Sequence, residues 1–218
     1  MLKVHSSEFN YQYGDQIHFP YRISSLVAYI RSKEVLNKNF DFQKAGVLRE
    51  NVDEYIQECK DADILLCSCY VWNWEITNFL ASEVHKINPN CTIVFGGAHV
   101  PDFSEDFFEE HPYVDFIVHG EGEIVLEEFL TAYMGDKNYS DVKGLETKEF
   151  RNPPQNRIND LDSLPSAYLT NTVWDLVDKI DGINWIAGWE TNRGCPYQCT
   201  FCDWGSATFT KVRKWEES

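Results

Sequence analysis

The chain has 218 residues, 43% hydrophobic and 15% aromatic, and a formal charge of -16 from 35 acidic and 19 basic residues. That length holds one large domain or two modest ones, and that apolar content argues for a real core and against global disorder. The charge argues against nucleic-acid binding through a broad basic face, and the short basic stretch at 210–215 reads as a solvated face.

The predicted elements alternate in type along the chain. Residues 1–6 read as a first strand. Pro20 stands where a helix begins, and Ile23, Leu26, Val27 and Ile30 continue it at helical spacing toward Leu36. A second strand is expected within 40–48. Asn51, with Glu54 three residues on, opens a helix over 51–60. The clearest strand is 62–71, an almost unbroken apolar run that suits a parallel strand covered on both faces. A helix follows at 74–87, another buried strand at 91–97 ends in two glycines, and 104–111 starts like a short helix. Residues 114–123 form a strand that turns through Gly120 and Gly122 into a helix ending near Met134. Strands alternating with helices predict an α/β fold, a doubly wound parallel sheet across about residues 1–135. Such sheets bind ligands at the carboxyl ends of their strands.

Beyond residue 135 the pattern fades into Pro, Asn and Asp. This region reads as a small strand or two and then a linker. Residues 183–194 are apolar again, a strand of a second unit, and 206–217 suit a helix. No apolar run reaches the roughly 20 residues of a membrane helix, and the N-terminus lacks the layout of a signal peptide. The expected compartment is the cytoplasm. Seven cysteines, an odd number, fit a reducing environment.

Three of those cysteines, Cys195, Cys199 and Cys202, are spaced C-x3-C-x2-C in a loop that Gly194 and Pro196 help to shape. Soft thiolates suit zinc, copper(I) or iron–sulfur clusters. A closed zinc site wants four protein ligands, and no cysteine or histidine follows Cys202. Three thiolates on a cubane cluster would leave one iron open to a small molecule. Zinc and three incidental core thiols remain the other readings of the spacing.

"CPYQCTFC" resembles the signature of radical S-adenosylmethionine enzymes. The resemblance implies that Cys195, Cys199 and Cys202 ligate a [4Fe–4S] cluster and that Phe201 lies near the adenine of S-adenosylmethionine. It implies reductive cleavage of that molecule to a 5′-deoxyadenosyl radical, with electrons from a reducing donor. The motif stands there in the loop after the first strand of a (β/α) barrel. The upstream sheet resembles the cobalamin-binding domain, Rossmann- or flavodoxin-like, of one branch of that superfamily. "CSCYVWN" (67–73), "FGGAHVPDF" (95–103) and "VHGEGE" (118–123) carry this likeness, and 158–169 resembles the linker into the barrel. By resemblance, Ser68, Gly96 and Gly97 would line a cobalamin pocket and Gly120 and Glu121 would border it.

The same residues have plainer readings. Glycine pairs after strands are common turns, and Glu121 and Glu123 at a helix start are dipole partners. His99 and His119 read as structural histidines, and Trp72 and Trp74 as core or interface aromatics. Cobalamin domains with a histidine ligand carry D-x-H-x-x-G after the first strand. Here Asp15 and His18 have a different spacing, so no lower cobalt ligand is nominated.

The expected organisation is a cobalamin-binding-like domain over 1–140, a linker over 141–182, and over 183–218 the first βα unit of an incomplete barrel. Alone, such a chain is expected to be inactive, with a second chain a candidate to complete the barrel around a small-molecule substrate. The leading expectation for the full-length form is radical methyl transfer or rearrangement. A radical enzyme whose sheet holds no cobalamin and a non-enzymatic metal-bearing interaction module are the alternatives.

Overall fold

The structure is a computed structural model and describes residues 1–102, 106–195, 197, 200 and 212–215. Strand β1 (Leu2–Asn10) is second from one edge of a six-stranded sheet. On one side it pairs in parallel with β3 (Phe40–Leu48), and on the other with β4 (Ile64–Ser68). Beyond β4 come β5 (Thr92–Gly96) and β6 (Phe116–Val118), also parallel. A short antiparallel edge strand, β7 (Leu145–Glu146), completes the order β3-β1-β4-β5-β6-β7. The winding therefore reverses direction at β1, which puts a crevice at the carboxyl ends of β1 and β4.

Alternation along each strand builds two cores, since successive side chains point to opposite faces. Ile64, Leu66, Val94 and Val118 pack under α1 (Tyr21–Arg31), α2 (Glu34–Asn39) and α6 (Gly122–Met134). Leu65, Cys67, Ile93 and Phe95 pack under α3 (Val52–Glu58), α4 (Trp74–Ile87) and α5 (Phe107–Glu110). Covered on both faces, these strands have no polar side, which is why they read as continuous apolar runs.

Three details depart from the sequence-based elements. The first strand runs on to Asn10 although it carries His5, Ser6, Ser7 and Glu8, all buried. The helix expected over 20–36 is two, parted at Ser32–Lys33. Residues 16–18 form an unforeseen strand, β2 (Gln16–His18), paired in parallel with β8 (Asn184–Ile186). Asp15 receives Asn184 through both its backbone and its side chain, the latter at 2.5 Å, and Ile17 is fully buried. Asp15 and His18 thus serve a strand pair. A third core lies beneath it, where Phe19 stacks on Trp185 at 4.8 Å and meets Val173 of α7 (Thr172–Leu176).

The strand expected at 183–194 is β8 plus β9 (Asn192–Arg193), and β9 pairs antiparallel with β10 (Arg213–Lys214). The helix expected over 206–217 falls largely outside the described residues. Among the described residues, no helix is long and apolar enough to cross a membrane.

Candidate functional site: a cleft at the sheet edge and the cysteine strand

The carboxyl ends of β1, β4, β5 and β6 open into a cleft of about 1110 Å³ between α1 and α6. Ordinary small-ligand pockets span roughly 300–1,000 Å³, so this one suits a bulky ligand. Its deep wall is apolar, with Leu66, Val94, Val118, Ile23 and Leu126. Ser68, Gly96, Gly97, Gly120 and Glu121, picked from sequence, all line it, and so does Trp72. Trp74 packs against the far core instead, with the exposed His99 ring edge-on to it at 5.1 Å, and His119 bonds Glu146 at 2.6 Å.

Backbone conformation explains two of the glycines. Gly97 has φ +116, and a Cβ there would sit 2.6 Å from the Cys69 carbonyl oxygen. Only glycine lets β5 end this close to the loop after β4. Gly120 has φ +78 with nothing within 4 Å of a notional Cβ, so its demand is conformational alone and the space beside it is open.

Sequence reasoning missed Glu8. Its carboxylate lines the cleft yet is almost wholly buried. One oxygen accepts the backbone N–H groups of Arg22 and Ile23, each at 3.0 Å, at the start of α1. Pro20 offers no side-chain cap there, so a carboxylate from β1 caps the helix in its place. Burial pushes the Glu8 carboxyl up to about 7, against the pull of the Ile23 amide and of Arg22. In the sequence Glu8 stands two residues past the expected end of the first strand, with nothing to mark it. Arg22, 3.4 Å from Glu8, lays its guanidinium over Tyr70 at 4.3 Å, and Tyr70 stacks on Trp72 at 4.6 Å. This ladder lines the cleft.

A second cluster lies where β6 turns into α6. Glu121 is at the helix start and accepts the Ile158 amide at 2.8 Å, Arg157 at 3.2 Å and Arg213 at 3.1 Å. Burial works against its charge, but the Arg213 hydrogen bond, the Ile158 amide and the Arg213 and Arg193 charges hold its carboxyl below the usual range. Glu123 is buried and bonded to Arg193 at 2.5 Å. Both acids are dipole partners by position, and both also anchor arginines. Arg213 comes from the basic stretch read as a solvated face, yet its side chain is only 11% exposed.

The cysteine motif begins beside this cluster. Asn192, Arg193 and Gly194 line the same cleft as the sheet glycines, and Cys195, half-buried, follows. Cys199, Cys202 and Phe201 lie outside the described residues. Cys59, Cys67, Cys69 and Cys91 are all buried in the core, and none stands with Cys195.

The B12 binding domain family model matches residues 15–130, more than half of the chain. The chain belongs to that family, in the branch that joins it to a radical S-adenosylmethionine domain. It is 40% identical over 199 residues to the cobalamin-dependent radical SAM methyltransferase TokK of Streptomyces tokunonensis, covering 88% of this chain and 29% of TokK. It is 40% identical over 181 residues to the 2-(S-pantetheinyl)-carbapenam-3-carboxylate methyltransferase of Streptantibioticus cattleyicolor, covering 80% of this chain and 27% of that protein. An anaerobic magnesium-protoporphyrin IX monomethyl ester cyclase of Cereibacter sphaeroides is 33% identical over 147 residues, 57% of this chain and 22% of that protein. The chain thus spans under a third of the length of these curated relatives.

The cleft fits the family's ligand in two observed respects. Its volume exceeds an ordinary pocket, and close backbone approach at Gly97 and open space at Gly120 leave the strand ends unobstructed. The cysteine loop fits a cluster in its donor chemistry, soft sulfur donors at C-x3-C-x2-C spacing.

Proposed function

We propose that this chain forms the cobalamin-holding front of a radical S-adenosylmethionine methyltransferase. In this reading residues 1–140 are the cobalamin domain, 141–182 the linker, and 183–218 the first strand and cysteine loop of the radical domain. Ser68, Gly96, Gly97, Gly120 and Glu121 would border the corrin and its tail. Cys195, Cys199 and Cys202 would hold a [4Fe–4S] cluster, with Phe201 beside the adenine of S-adenosylmethionine. When bound, these groups supply a methyl donor and a one-electron reductant. The chain's own residues contribute shape and order: an apolar wall that excludes water, a capped α1, and an arginine cluster tying the cysteine strand to the cleft. The substrate would be a small molecule and the compartment the reducing cytoplasm, with an electron donor and a further chain or segment as partners.

One observation carries the reading. The strand that delivers Cys195 lines the same cleft as the glycine ends of the sheet, so a corrin ligand and an iron cluster would be neighbours. The test is anaerobic reconstitution with iron, sulfide and hydroxocobalamin. The expected product holds about four irons and one corrin per chain, with cluster absorbance lost when the three cysteines become alanine. A cluster without corrin would favour a radical enzyme whose sheet is a docking or recognition domain. Zinc without iron would reduce the chain to a metal-bearing interaction module.

A further inference from the structure

Arg193 and Arg213 stand directly opposite each other across β9 and β10. Like charges in that position repel, and these side chains are only 13% and 11% exposed, so water does little to relieve them. Relief comes from elsewhere in the chain. Glu121 sits between both arginines, 3.8 Å from one arm of Arg193 and bonded to Arg213. Glu123 takes the other arm of Arg193, and Glu190 takes its Nε at 3.2 Å. Burial opposes the Arg193 cation, but the Glu123 hydrogen bond and the charges of Glu123, Glu190 and Glu121 outweigh it.

The placement matters because of what lies at each end. Glu121 and Glu123 belong to the turn between β6 and α6, which lines the cleft. Arg193 also lines the cleft and stands two residues before Cys195, with Gly194 between them at φ +107. The arginine fixes the strand, the glycine turns the chain, and the cysteine begins the loop. A buried cation cannot be left without its carboxylates, so the strand must follow the turn when the turn moves.

We infer that Arg193 is a positioning residue that couples the cleft to the start of the cysteine motif: its fork on Glu121 and Glu123 makes occupation of the cleft and placement of the strand before Cys195 a single equilibrium. This rests on the proposed function and adds a reciprocal linkage to it. Whatever the cluster does to the affinity for corrin, corrin must do to the cluster by the same factor. Lysine keeps the charge but not the planar fork, so Arg193→Lys is the sharpest probe.

The whole chain is titrated anaerobically with hydroxocobalamin before and after iron–sulfide reconstitution. Electron paramagnetic resonance of the reduced cluster is recorded with and without the corrin. In the wild-type protein, affinity should differ between the two states by ~5- to 100-fold, and the resonance should shift on corrin addition. In R193K and in E123Q the affinity ratio should fall toward one and the shift should vanish, with iron content and corrin absorbance retained. Lys214→Ala, on the same strand pair, should leave both effects as they were. Coupling that survives intact in both variants overturns the inference. So does equal wild-type affinity with and without cluster, a result that stands even if neither variant folds, and that leaves the proposed function untouched. A wild-type protein that takes up neither corrin nor iron removes the proposed function and this inference together.

Discussion

The sheet and the cysteine arm place the same residue type in opposite surroundings. Cys59, Cys67, Cys69 and Cys91 belong to the core under α3, α4 and α5. Burial pushes Cys67 and Cys91 up to about 12, and raises Cys59 and Cys69 as well. Such thiols stay protonated at neutral pH and act as small hydrophobes. Cys195 is half-buried and follows a left-handed glycine. Local chain geometry separates the two sets: Cys67 lies in β4 and Cys59, Cys69 and Cys91 lie in the turns beside the core, all packed, while Cys195 follows a forced turn and is only half-buried.

The largest effect should come from the packed side. Phe95 is fully buried and lies edge-on to Trp74 and Phe107. Phe95→Ala should cost about 3–5 kcal/mol in urea unfolding, through lost transfer energy and the cavity left behind. Iron uptake per folded chain should not change. A loss below about 1 kcal/mol would show that this core is not tightly packed and blur the contrast between the regions.

Glu8 belongs to the sheet by burial and to the cleft by position, so it tests the border between the two. Its carboxyl titrates near 4.5 when unfolded and at about 7 when folded. Between those values the folded chain holds the proton more tightly, so stability falls as pH rises from 4.5 to 7 and is level above. The drop attributable to this group is up to about 3 kcal/mol. Glu8→Gln should flatten that part of the profile, read as the difference between the two proteins' unfolding free energies across the window. Parallel profiles would mean that Arg22 and the helix amides fully compensate the buried charge.

The two glycines at the cleft should differ although both have positive φ. Gly97→Ala adds a backbone collision with Cys69 to its conformational cost and should lose about 2–3 kcal/mol. Gly120→Ala meets nothing and should lose about 1–2 kcal/mol. Equal losses would mean that the loop after β4 yields easily.

The same division governs how much could be read from sequence. Strands β4 and β5 were legible because burial on both faces makes them unbroken apolar runs. The glycine turns at their ends marked the cleft. The end of β1 was not legible, since Glu8 and Asn10 look like loop residues until α1's free amides meet the first and the His18 carbonyl meets the second. Strand β2 was invisible for a simpler reason, because three residues bury only Ile17 and need β8, far along the chain, to form. The arginine cluster was hidden by distance: Glu123 and Arg193 are 70 residues apart, and Glu121 and Arg213 are 92. Local pattern cannot announce a pairing of that span, so a buried anchor passed for a solvated basic stretch.

The smallest stability effect should accompany the largest chemical one. Cys195 is half-buried, and no hydrogen bond of its side chain is seen among the described residues. Cys195→Ala should therefore shift unfolding of the metal-free protein by no more than about 0.5 kcal/mol. Cys67→Ala, in the core, should cost about 1 kcal/mol or more for its lost packing while leaving iron uptake intact. Measured side by side, iron content and unfolding free energy should separate the two substitutions completely. If Cys195→Ala strongly destabilises the metal-free chain yet leaves iron uptake on reconstitution intact, the thiol is structural, and the proposed division between packing and ligand cysteines fails at the residue on which it depends.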